Sequence, residues 1–108
     1  MVHFGSVESL QKTLCRYVDN DIAKNAVTCI NVNNKGETVI NQEQGIFFIW
    51  MPSKPTTAED IGFLAHEVFH AVAEIMRTIG VTFSENSEEI YAYTVGYLMH
   101  KILELFKI

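Results

Sequence analysis

Residues 56–80, TTAEDIGFLAHEVFHAVAEIMRTIG, decide how the second half of the chain reads. Ile61, Leu64, Ala65, Val68, Val72, Ile75, Met76 and Ile79 recur at intervals of three and four, the period of a helix with one apolar side. Thr56 and Glu59 have the spacing of a capping box at its start, and Gly80 is placed to end it. Inside this helix, His66 and His70 fall one turn apart on the same face, offset from the apolar stripe. Glu67 follows the first histidine, about 100° further round.

Working outward, VTFSENS (81–87) is a short connection to a last helix from Ser87 to Phe106. Ala92, Val95, Gly96, Met99, Ile102, Leu103 and Phe106 run along one side of it. Upstream, SVESLQKTLCRYVDNDIAK (6–24) carries Val7, Leu10, Leu14, Tyr17, Val18 and Ile22 at helical spacing, with Ser6 as a cap and Asn20 or Asn25 to mark its end. AVTCINVN (26–33) is β-branched and alternating, which predicts a strand. NNKGE (33–37) is a turn signal, and TVIN (38–41) a short returning strand. GIFFIWM (45–51) has strand composition and is stopped by Pro52 and Pro55. The expected fold is α+β over one domain, residues 1–108: an N-terminal helix, a small sheet or hairpin, the motif helix, and a C-terminal helix packed against it.

Composition limits the partners. At 108 residues, 48% apolar and 19% charged, the chain is ordinary globular material. A net charge of −5, with lysines and arginines scattered, argues against nucleic acid or an anionic membrane surface. MVHFGSVESLQ lacks the basic start and apolar run of a secretory signal, and GIFFIWM is too short to span a bilayer as a helix. Cys15 and Cys29 lack C-x-x-C spacing, so two reduced, buried thiols in a cytoplasmic protein are expected.

The chemistry lies in H-E-x-x-H. Two imidazoles one turn apart can bind one zinc ion, which needs a third protein ligand and keeps its fourth position open when the site is catalytic. The ion acidifies its water, and Glu67 is placed to take the proton. Glu85, Glu88, Glu89 and His100 are the candidates for the third ligand. A short turn after Gly80 brings the first turn of the last helix nearest the histidines. There Glu89 has Tyr93 one turn on and Gly96 two turns on, whereas Glu88 has only Ala92 at the equivalent offset. Glu89 is the choice and Glu88 the alternative. His3 falls at a loose terminus. Tyr91, Tyr93 and Tyr97 read mainly as packing residues, and Tyr93 alone also as a hydrogen-bond donor to a tetrahedral intermediate or to a ligand.

HEVFH followed after nineteen residues by Glu89 resembles the gluzincin pattern of thermolysin-type zinc peptidases. The resemblance implies His66, His70 and Glu89 as ligands of one zinc ion per chain, and Glu67 as general base. HEVFHAV together with SEEIYAYTVGYL looks closer still to small metallopeptidase-like proteins encoded in bacteriophage genomes, which implies a host cytoplasm as the location. The thermolysin pattern carries an aspartate four residues after the glutamate ligand, and this chain has Tyr93 there. Peptidases of this kind pair an extended substrate with an edge strand just before the active-site helix, and Ile46–Met51 stands at that point in the order. The same strand reads equally as a central, buried one. The function expected is hydrolysis of peptide bonds in a peptide or protein substrate. The competing class is a non-enzymatic zinc-containing module that binds a host or phage protein.

Overall fold

The computed structural model describes residues 1–108. The chain is α+β, with four helices and one three-stranded sheet, and it divides into two units, residues 1–54 and 55–108.

The first unit begins with strand β1 (Val2–Phe4), helix α1 (Val7–Leu14) and helix α2 (Asn20–Thr28). A hairpin of β2 (Glu37–Asn41) and β3 (Ile46–Met51) follows. The sheet order is β1-β3-β2, with β1 parallel and β2 antiparallel to β3. The hairpin turn lies at residues 42–45, where Gly45 takes φ 68° and its N–H donates to the Gln42 carbonyl at 3.1 Å. Side chains of β3 alternate, so Ile46, Phe48 and Trp50 share a face. They join Leu10, Leu14, Ala23, Ala26, Val27, Ile30 and Val39 in one buried cluster.

Five expectations for this unit are corrected. The helix expected over 6–24 is two helices, because Asp19 adopts extended backbone (φ −60°, ψ 153°) and starts α2. The strand expected over 26–33 is the end of α2 and a loop. Ile22, Ala23, Ala26, Val27 and Ile30 form a helical stripe that buries against the core, and this outweighs the local β-branched alternation. NNKGE leads into β2 instead of joining two strands. The N-terminus is ordered, since His3 pairs with Trp50 in the sheet and its Nε2 lies 2.8 Å from the Ser9 hydroxyl. Partial burial lowers the His3 pKa. Gly5 closes this corner at φ 153°, where an added Cβ would meet the Ser9 hydroxyl at 2.9 Å. Cys15 and Cys29 are free, but Cys15 is only half-buried and Cys29 is exposed.

The second unit is a helical hairpin of α3 (Ala58–Thr78) and α4 (Glu88–Leu105), packed on each other. The capping box sits one residue beyond the expected one: Thr57 accepts from the Asp60 N–H at 3.1 Å, and Asp60 accepts from the Thr57 N–H at 3.2 Å. Bonds from the Thr56 and Thr57 backbone to its carboxylate hold the Asp60 pKa below the usual range. At the far end Gly80, at φ 79°, donates to the Arg77 carbonyl, and Val81 donates to that of Met76. Together these bonds form a Schellman motif.

The cap gives a direct test. Thr57→Ala is expected to cost about 0.5–2 kcal/mol, measured by urea denaturation, whereas Thr56→Ala should cost less. Because the folded Asp60 pKa is depressed, its contribution is present above the unfolded carboxylate range and is lost as pH falls through the folded value. The difference between wild type and Asp60→Ala should therefore shrink on acidification.

Candidate functional site

His66 and His70 lie on the solvent side of α3, with Leu64, Val68, Ala71 and Val72 buried on the other. Their Nε2 atoms stand 3.2 Å apart, and the rings meet edge to face at 74° with centroids 4.8 Å apart. Glu67 points differently. It is only 8% exposed, although the side chain of His66 beside it is 66% exposed, and its Oε2 lies 3.8 Å from His66 Nε2. The helix period accounts for this: a step of about 100° carries residue 67 from the wet flank to the edge of the packed face. The carboxylate therefore stands beside His66 at the edge of the packed face.

The pair passes a geometric test for a shared ion. Two nitrogens bound to one zinc at about 2.0–2.1 Å with tetrahedral angles stand about 3.3 Å apart, close to the 3.2 Å here. The same spacing suits an N–H···N bond between opposite tautomers.

The remaining candidates are dispersed. Glu88 and Glu89 occupy the first turn of α4, both exposed, and Glu85 precedes it. On the helix period Glu88 falls on the side of Tyr91 and Ile102, which is packed. Glu89 falls with Ala92, Tyr93 and Gly96 on the solvent side. His100, far along α4, lies 3.0 Å from Glu104. No group of three or more His, Cys, Asp or Glu side chains is close enough to hold a metal, so the two histidines are brought together and Glu89 is not joined to them. Of the three tyrosines expected to pack, only Tyr91 does: it is buried and its hydroxyl donates to the Val81 carbonyl at 3.0 Å. Tyr93 is 73% exposed and Tyr97 61%. Of the two readings of Ile46–Met51, the structure has the central strand, with β1 along Ile49–Met51 on one side and β2 on the other.

Two features went unread in the sequence. Glu74 is buried one heptad after Glu67 and pairs with Arg77. An open groove of about 450 Å³ lies between Phe69, Ala73, Arg77, Val81, Phe83 and Tyr91. Ala73 and Arg77 continue the line of His66 and His70 along α3, a repeat of i, i+4, i+7, i+11 that was legible in the sequence.

No helix is long and apolar enough to cross a membrane. Comparison of the chain with models of known families, with curated proteins and with solved structures finds no match.

Proposed function

We propose that the protein is a zinc-dependent metallopeptidase-like hydrolase of H-E-x-x-H type, working in the cytoplasm on a peptide or protein substrate. The observation that carries this is the pair of imidazole nitrogens 3.2 Å apart beside a buried carboxylate. His66 and His70 would supply two ligands, and Glu89, which the structure does not bring to them, would supply the third, with Glu88 as the competitor. A bound zinc ion supplies an acidified water and polarises the substrate carbonyl. Glu67 does not ligate: its carboxylate accepts the proton released in the attack and passes it to the departing amine. Burial restricts the orientations open to that carboxylate, which suits general-base work. Tyr93 is free to donate its phenol to the substrate oxygen as negative charge develops there. The arrangement of the two helices is read as a minimal zincin-like one within a single functional domain, on the resemblance of HEVFH and EEIYAY to the small phage proteins.

Protein purified without chelator is expected to hold about one zinc ion per chain and to melt earlier once chelated. His66→Ala and His70→Ala should each abolish stoichiometric binding, and Glu89→Ala should weaken it more than Glu88→Ala. Zinc titration by calorimetry and metal analysis reads all four. An absence of metal in the wild type, with no thermal shift on adding zinc, overturns the reading.

A further inference from the structure

The solvent side of α3 carries a row of groups that one chain leaves incomplete. Glu59, His66, Ala73 and Arg77 recur at i, i+7, i+14 and i+18, with His70 one turn beyond His66, so all five lie within about 40° of one line along the helix. Glu59, both histidines and Arg77 are exposed. The two Nε2 atoms stand 3.2 Å apart, close to one edge of a zinc tetrahedron. That edge sets two of the four vertices. No group of three His, Cys, Asp or Glu side chains within the chain is close enough to hold a metal. The pair faces open solvent, where a second molecule can reach it.

We propose that, when the chain is in excess over zinc, one ion is shared between two copies and held by His66 and His70 of each. This rests on the reading that the histidine pair binds zinc, and it adds a closed form of that site. Two pairs supply four nitrogens, the full set of a closed tetrahedral site. With no position left for water or substrate, the shared form is inactive, and zinc supply regulates the protein. The charges on the same line choose the direction of pairing. Glu59 and Arg77 each stand nine residues from Val68, the midpoint between the two histidines. With the two α3 helices antiparallel and a twofold axis level with Val68, the histidine pairs meet. Glu59 of each copy then faces Arg77 of the other, at both ends of the contact. Parallel pairing would set Glu59 against Glu59 and Arg77 against Arg77, and antiparallel pairing also opposes the helix dipoles. Arg77 already binds Glu74 through Nη1, but its side chain is 69% exposed and its fork has further N–H groups to offer. The imidazoles and the ion hold the two backbones apart, and the long glutamate and arginine side chains suit that gap. One helix against another buries less than the roughly 1,200–2,000 Å² of a stable complex, so the ion carries the association.

The test is the solution mass of the full chain by analytical ultracentrifugation during a zinc titration, with bound zinc measured at each step. One chain mass is expected without zinc, twice that mass at half an equivalent, and a return toward one in excess zinc as each copy takes its own ion. His66→Ala and His70→Ala should each abolish the doubled mass. Glu59→Lys sets a cation against Arg77 and should raise the dissociation constant of the zinc-bridged dimer at least about tenfold. Glu43→Lys, the same change of charge in the hairpin turn of the first unit, should leave that constant unchanged. Circular dichroism should show helix content unchanged in all four variants, since each replaced side chain is exposed. Zinc bound by a protein that keeps a single-chain mass throughout overturns the sharing and leaves the metal reading standing. No zinc bound at any step overturns both. A doubled mass that survives the histidine substitutions, or a dimer that responds to Glu59→Lys no more than to Glu43→Lys, also overturns the proposal.

Discussion

Glu67→Gln is expected to lower peptide hydrolysis by about 10²–10⁴-fold while leaving zinc affinity and fold in place. Glutamine has the same length and volume as glutamate, so a side chain that is 8% exposed can be replaced without opening a cavity. The amide keeps a hydrogen-bonding head beside His66, where the carboxylate oxygen now lies at 3.8 Å. What it loses is the ability to accept a proton. Removing the two histidines tests binding; changing Glu67 tests chemistry alone. Hydrolysis of a mixed peptide library, followed for both proteins with equal zinc loading and equal melting temperatures, reads the difference. Activity that survives the substitution rules out Glu67 as the base. Zinc bound in both proteins with hydrolysis in neither would favour a zinc-containing interaction module over an enzyme.

The parts of this site legible in the sequence are those fixed by helix geometry alone. The i, i+4 spacing sets His66 beside His70 on any helix, and the one-residue offset turns Glu67 toward the packed face while leaving it beside His66. The third ligand is a different kind of question, because it depends on how α4 docks, and no local spacing encodes that. The same division runs through the fold. Helix α3 and its Gly80 stop were readable because stripe, cap and terminator all lie within one stretch. The cap itself moved by one residue. Both Thr56 with Glu59 and Thr57 with Asp60 have the required spacing, and the Asp60 carboxylate reaches two backbone N–H groups at 3.0 and 3.2 Å. Strand β1 was unreadable for the opposite reason. Its three residues gain strand geometry only by pairing with Ile49–Met51, more than forty positions away. In α2 the β-branched run misled because its early members face the core at helical spacing, a tertiary effect that overrides propensity.

Trp50→Ala is expected to cost about 3–5 kcal/mol, among the large stability losses open to a single substitution in the first unit. Trp50 is 2% exposed and belongs to the cluster formed with Phe48, Leu10, Leu14 and α2. Its indole also ties two elements together, since Nε1–H donates to the Gly5 carbonyl at 2.9 Å, in the turn between β1 and α1. Truncation to alanine removes the ring contacts and leaves that carbonyl without its donor, a further loss of roughly 1 kcal/mol. Against total stabilities of about 5–15 kcal/mol, the first unit would lose much of its margin. Trp50→Phe separates the two contributions, because it keeps most of the ring volume and removes only the N–H. Urea unfolding followed by far-ultraviolet circular dichroism, which needs no tryptophan signal, should place Trp50→Phe well between wild type and Trp50→Ala. A cost below about 1 kcal/mol for the alanine variant would mean that Trp50 does not anchor this core.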